Sequence, residues 1–185
     1  MAQAEIVAVD MDPLLLALAR ARHPDAARYV EAVIGEEGWT SALALQGPID
    51  AVVSATALHY LPEGILRSTY AELRTLLRPG GILINADHLS QGGAGFAEIA
   101  EFVGVRRVER RHAFDHEDWE TWWSAIKNEP ELTGLRAERR KPGLVHADCA
   151  VTLGRYIELL AEAGFGHATP VWQVGNSYVL VAIRQ

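Results

Sequence analysis

Asp10 closes a short apolar run, Ile6 to Val9, and stands two residues before Asp12 and Pro13. In nucleotide-binding α/β folds a carboxylate at the end of the second strand accepts hydrogen bonds from ribose hydroxyls, chemistry that a neutral side chain does not match. Asp10 occupies such a place, with plain strand-end capping as the alternative. Asp12 is read only as a helix N-cap, because its carboxylate suits that position and Pro13 is tolerated at the first helical residue. The glycine-rich turn that such folds place roughly 20 residues upstream of the acid is not among the nine residues before Asp10. A second group of chemistry-bearing residues follows two later apolar runs. Ser54, Ala55 and Thr56 end IDAVVSAT, His59 follows in ALHYL, and Asp87 and His88 end ILINADH. Ligands of open α/β sheets bind at the carboxyl ends of strands, so Ser54 to Thr56 line such a crevice or simply make the turn out of the strand. A histidine there acts as a base, positions an acceptor, or packs.

The elements that must position these residues follow from periodicity and punctuation. Strands are expected at Ile6 to Asp10, Arg28 to Ile34, Ile49 to Ser54 and Ile82 to Asp87, with helices between them at Leu14 to Arg22 and over Leu66, Tyr70, Leu73 and Leu77. Arg78, Pro79, Gly80 and Gly81 stop the second helix. Strands alternating with helices imply parallel pairing with right-handed crossovers. The alternation then ceases. Phe96, Ile99, Ala100 and Val103 fit one short amphipathic helix; Trp119, Trp122, Trp123 and Ile126 fit another, started by Asp115, with the spacing of a core-facing stripe. A last helix turns Leu153, Tyr156, Ile157 and Leu160 inward and ends at Gly164, and Thr169 to Val174 and Tyr178 to Ile183 form a hairpin joined by Gly175, Asn176 and Ser177.

At 185 residues and 49% hydrophobic composition the chain is expected to form one domain with a substantial core. A formal net charge of -7 argues against general nucleic-acid binding and leaves a small molecule as the expected partner. The single cysteine, Cys149, excludes an intramolecular disulfide. With no leader and no long apolar run, cytoplasmic residence without membrane contact is the default expectation. His146, Asp148 and Cys149 repeat no metal-ligand spacing, so no metal site is expected. Arg106, Arg107, Arg110 and Arg111, with Arg136, Arg139, Arg140 and Lys141, either draw an anionic substrate or form a solvated face paired with acids such as Glu109 and Glu138.

Four segments in this order, VAVDMDPLLLALAR, IDAVVSATALHYL, LLRPGGILINADH and LAEAGF with the terminal hairpin, resemble the class I S-adenosylmethionine-dependent methyltransferases over nearly the whole chain. The resemblance implies a Rossmann-like α/β fold, with a mostly parallel sheet in the order 3-2-1-4-5-7-6 whose strand 7 is antiparallel. The strands present are then family strands 2 to 7. It implies S-adenosyl-L-methionine as cofactor, Asp10 on its ribose with Met11 alongside, and Ser54, Ala55 and Thr56 by its methionine end. It also makes His59, His88 and Asp87 the candidates for catalysis.

Two departures accompany the resemblance. The family's first strand and glycine turn are missing, and the best match puts Val33 where many members carry an acid for the adenine, with Glu31, Glu36 and Glu37 nearby. The chain is accordingly read as a single domain, residues 1–185, truncated at its N-terminus, with residues 91–142 as a helical lid or substrate insert that QGGAG opens. Either it is a piece of a longer enzyme, or strands 2 and 4 pair directly, or a second chain, a copy or a complementing partner, fills the gap. Two functions remain: methyl transfer to a small molecule, at least in the intact parent protein, and a non-catalytic remnant that serves as an interaction or assembly module. A nicotinamide-dependent oxidoreductase shares the ribose acid but not the Pro-Gly-Gly turn or the reversed last strand.

Overall fold

A computed structural model describes residues 4–110, 119–138 and 151–185 of the chain. Its chain divides into two compact units, Met1–Leu45 with His116–Gly143, and Gln46–Asp115 with Leu144–Gln185. Arg111, Asp115, Arg139, Arg140, Lys141, His146, Asp148 and Cys149 lie outside the described residues.

In the first unit β1 (Val7–Asp10) leads into α1 (Pro13–Arg22) and then β2 (Arg28–Glu31), which pairs parallel with β1 so that Asp10 stands opposite Glu31. The Asp12 carboxylate accepts from the backbone N–H groups of Leu14 and Leu15 at 3.0 and 3.4 Å, so the strand ends and the helix begins where the acid and the proline predict. β2 is shorter than RYVEAVI suggests, because pairing stops with β1 at Asp10. Leu14, Leu16, Trp39 and Leu43 are buried, Trp39 at the start of the one-turn α2 (Trp39–Ala42). The tryptophans of α5 (Trp119–Lys127) pack on one another, Trp119 stacked on Trp122 at 5.3 Å and Trp122 edge-on to Trp123 at 4.9 Å. Ile126 is buried but Trp119 is exposed, so the stripe is an aromatic cluster and not a fully core-facing one. The unit also contains α6 (Thr133–Glu138), which packs against α1.

The second unit is built on a four-stranded sheet in the order β3-β4-β6-β5. β3 (Ile49–Ala55) and β4 (Leu77–His88) run parallel and are joined by α3 (Glu63–Leu76). β5 (Phe165–Val174) and β6 (Ser177–Arg184) follow α7 (Leu153–Glu162), and β6 is antiparallel to both of its neighbours. The expectation of one mostly parallel sheet is corrected here. Among the described residues β1 pairs only with β2 and β3 only with β4, so the strands read as 2 and 4 are not paired directly. Within the four-stranded sheet, two of the three pairings are antiparallel. Taken each by itself, the pair β1-β2 sets the strands read as 2 and 3 side by side, and the four-stranded sheet has the implied order 4-5-7-6.

Alternation along β4 and β6 sorts the two faces. Leu83, Asn85 and Asp87 pair with Ala182, Leu180 and Tyr178, and all are buried on the face that carries Leu66, Thr69 and Tyr70 of α3 and Tyr156, Leu159 and Leu160 of α7. Val53, Ile84 and Ile183 point the other way, and Val53 is 70% exposed. The Pro-Gly-Gly segment bulges between the Ile49–Leu77 and Ala51–Ile82 pairs. Gly81 is required there because a Cβ would stand 2.8 Å from the Arg78 carbonyl oxygen.

The stretch after β4 forms α4 (Ala94–Arg110), longer than expected, and its apolar residues are largely uncovered: only Ala100 is buried, while Phe96 and Ile99 are 70% and 62% exposed. Among the described residues α4 meets the sheet chiefly at β5 and the turn beyond it. That turn has two residues, Gly175 and Asn176, because Ser177 already pairs with Val174. Gly175 has φ +62°, and a Cβ on it would come within 2.6 Å of the Ala100 carbonyl oxygen and 2.8 Å of the Gly104 nitrogen. Gly175→Ala is therefore expected to cost about 1–3 kcal/mol, read as a lowered urea midpoint, with hydrogen exchange quickened in α4. An unchanged midpoint would show that α4 does not depend on this close approach.

Candidate active site

The second unit brings together His59 and Asp87, two of the three residues singled out for catalysis. β3 and β4 end side by side, with Ala55 opposite Ala86, and their carboxyl ends place the one-turn helix Leu58–Tyr60 next to Asp87. The His59 ring nitrogen Nδ1 lies 2.6 Å from Asp87 Oδ1, while the backbone N–H of His59 donates to Oδ2 at 3.2 Å and that of His88 to Oδ1 at 2.9 Å. The Asp87 side chain is 0% exposed and that of His59 is 29% exposed. An acceptor-only carboxylate at Nδ1 fixes the neutral imidazole with its proton on that nitrogen and its lone pair on Nε2. A buried acid therefore orients a partly exposed base.

The third candidate is separated from them. His88 is one residue on in the strand, so its side chain leaves the opposite face and its Nδ1 lies 3.2 Å from Ser177 Oγ. Two phenols lie on the Asp87 side, Tyr70 and Tyr156, with ring centroids 6.5 Å apart. Burial pushes both hydroxyls well above the ordinary tyrosine range, helped for Tyr70 by Tyr156 and for both by the Asp87 charge. They stay protonated at neutral pH.

Ser54, Ala55 and Thr56 adjoin the dyad at the end of β3. Ser54 Oγ is buried without a hydrogen-bond partner among the described residues, as are both amide atoms of Asn85, its register neighbour on β4. Thr56 has φ +49°, a left-handed conformation that a β-branched residue rarely adopts, held by its N–H donating to the Ala86 carbonyl at 2.9 Å. No local signal predicts this strain; it arises because β3 must leave the sheet within one residue of its last pair. Thr56→Gly is expected to stabilise the chain by about 1 kcal/mol, measured by thermal or urea unfolding, and a loss of stability would show that the threonine side chain matters more than its backbone.

Asp10 and Met11 lie in the first unit, at the end of β1. Asp10 is half-buried, and its Oδ1 accepts the Asp12 backbone N–H at 2.8 Å. Burial raises its carboxyl above the usual range, opposed by the backbone hydrogen bonds from Asp12 and Met11 and reinforced by the Asp12 charge. Burial thus outweighs the two backbone N–H groups that the carboxylate accepts from. Glu31, one of the three acids suggested for an adenine, is the register partner of Asp10.

Sequence reasoning missed Gln91, Gln173 and Tyr178. The Gln173 amide donates to the Gly175 carbonyl at 3.0 Å and to the Tyr178 hydroxyl at 2.6 Å, and the Gln91 amide also meets that hydroxyl. Only the hairpin register brings them together, so nothing in their local sequence marks them. Of the basic residues, Arg106 pairs with Glu109 at 2.9 Å and Arg107 lies over the Trp172 ring at 4.9 Å. Among the described residues no group of three metal-ligating side chains is placed to hold an ion, and no helix is long and apolar enough to cross a membrane.

Comparison with known proteins agrees with this architecture. Residues 1–81 match a family profile described as a methyltransferase domain. No curated protein matches the sequence. Among solved structures, CurJ carbon methyltransferase is 18% identical with a TM-score of 0.57, over 97% of this chain and 41% of that one. Human N-acetylserotonin methyltransferase, in complex with S-adenosylmethionine, is 16% identical with a TM-score of 0.54, over 98% of this chain and 41% of that one. Magnesium protoporphyrin IX methyltransferase from Synechocystis PCC 6803, with bound S-adenosylhomocysteine, is 13% identical with a TM-score of 0.53, over 98% of this chain and 65% of that one. The chain thus spans less than two thirds of the length of each of these proteins. With its strand order, its reversed last strand and this profile match, the chain is a protein of the class I S-adenosylmethionine-dependent methyltransferase fold whose first 81 residues match the methyltransferase family.

Proposed function

We propose that this chain serves S-adenosylmethionine-dependent methyl transfer to a small-molecule acceptor, with His59 as the base that takes the acceptor's proton. The observation that carries the reading is the His59–Asp87 pair at the carboxyl ends of two adjacent parallel strands, where ligands of such sheets bind. When bound, the cofactor supplies a methyl group already activated by its sulfonium charge. Alignment of the acceptor is then the main task of the protein, and a base is needed where the acceptor arrives protonated. In this reading Nε2 of His59 receives that proton, and Asp87, a positioning residue, holds the ring and stabilises the imidazolium that forms. Asp10 and Met11 take the ribose, and Ser54, Ala55 and Thr56 offer backbone groups to the methionine end. His88 falls to a secondary place because it faces away from Asp87.

The edge of β3 that has no strand partner among the described residues, with Val53 of that strand exposed, supports a further part of the proposal. In the intact protein another parallel strand pairs there, from more of the same protein or from a second chain. The acidic balance supports a small-molecule acceptor over nucleic acid, and cytoplasmic residence goes with this reading. Calorimetric titration of the chain with S-adenosylmethionine tests the core of it. Micromolar binding is expected, and no heat at millimolar ligand would overturn cofactor use by this chain and leave a fold that serves only as an interaction module.

A further inference from the structure

We infer that Tyr60 is a positioning residue for His59, and that the face of its ring stabilises the imidazolium that forms when His59 takes a proton. For its place in methyl transfer the inference rests on the function proposed above; the ring contact itself is tested without any cofactor.

The turn after β3 dictates the arrangement. Leu58 and Leu61, three residues apart, are 2% and 8% exposed, and the Leu61 N–H donates to the Leu58 carbonyl at 3.1 Å. These two leucines anchor the turn, so the residues between them, His59 and Tyr60, are carried on its open side. Tyr60 is 49% exposed and the His59 side chain 29%. Their ring centroids lie 3.9 Å apart with the planes inclined at 42°. Aromatic pairs that meet edge-on or offset keep their centroids roughly 4.5–7 Å apart. At 3.9 Å the phenol ring therefore lies across the face of the imidazole.

The face of an aromatic ring is the negative side of its quadrupole and attracts a cation within roughly 6 Å of the centroid. A neutral imidazole gains less from it, so the contact favours the protonated form. Asp87 acts on the same imidazole from another direction, through Nδ1 at 2.6 Å. Tyr70 of α3 and Tyr156 of α7 lie on the Asp87 side and stay protonated, and His88 turns to Ser177 on the opposite face of β4. A carboxylate thus holds one edge of the histidine and an aromatic ring covers one face. The charge of an accepted proton is balanced from both directions.

The test follows the Hε1 resonance of His59 against pH by NMR, in the whole chain without S-adenosylmethionine, the resonance being assigned by its loss in His59→Gln. Tyr60→Leu keeps an apolar side chain but no aromatic face, and it should lower the His59 titration midpoint by about half a pH unit, roughly a threefold loss of proton affinity. Tyr60→Phe keeps the face without the hydroxyl and should titrate as the parent does. His88 is the internal control and should not move in either variant. An unchanged or raised midpoint in Tyr60→Leu, a fall in Tyr60→Phe equal to that in Tyr60→Leu, or an equal fall at His88 would overturn the inference. The expected fall in Tyr60→Leu together with a wild-type rate in His59→Ala would keep the ring contact and remove His59 from methyl transfer. An unchanged midpoint together with a rate lost in His59→Ala would keep the base and remove Tyr60 from its support.

Discussion

His59→Ala is expected to lower the rate of S-adenosylhomocysteine formation by about 10²–10⁴-fold, the usual contribution of a positioned general base, while S-adenosylmethionine affinity changes less than about threefold. The split follows from geometry. His59 meets Asp87 through Nδ1 and its own backbone N–H, and its side chain is 29% exposed, so Nε2 is the nitrogen that the proposed role assigns to the acceptor. Asp87→Asn should retain the fold and lower turnover by at least about tenfold, because the amide no longer holds the imidazole in one tautomer or balances its charge. The measurement is single-turnover kinetics on the protein that contains this chain, and a wild-type rate in His59→Ala would return the histidine to a packing role.

The second large effect concerns Asp10. Asp10→Asn should weaken S-adenosylmethionine binding roughly 10- to 150-fold, the worth of a charge-assisted hydrogen bond. It should also make the chain more stable at neutral pH. Burial lifts the Asp10 carboxyl above its ordinary value of 3.8, so its ionisation opposes folding. That penalty is absent below about pH 3.8, grows as the pH rises from there through the raised folded value, and is constant above it. The asparagine retains an acceptor for the Asp12 N–H and carries no charge, so the stability gain should be full at pH 7 and fade in acid. Titration calorimetry and urea unfolding at several pH values read the two effects. A carboxylate that merely caps the strand end would show the opposite pattern, with stability lost and affinity kept. Loss of affinity together with gain of stability is the expected mark of a group retained for a ligand.

Local signals account for what could be read without coordinates. Asp12 and Pro13 fix the start of α1 because the N-cap bond is made within three residues, and Gly175 fixes the last hairpin because the left-handed turn is a property of one residue. The succession of strands and helices was equally legible, since each apolar run carries its own period and punctuation. Asp10 stood out because an acid at a strand end is visible in the sequence, although burial of its carboxyl was not.

Tertiary structure decided what depends on residues far apart in the chain. Whether Asp87 or His88 meets His59 turns on which face of β4 each one leaves, and that parity is set by pairing with β3 and β6 and not by the sequence around either residue. The break between β1-β2 and β3-β4-β6-β5 is a matter of partners, as is the exposure of α4, whose apolar stripe predicts burial by a surface that β5 only partly supplies. The Gln91–Tyr178–Gln173 relay is assembled when β6 turns back on β5 and lies beside β4, joining residues 87 positions apart. A sequence carries the short-range preferences of its chain, while register and face, which place one side chain against another, exist only once the strands have paired.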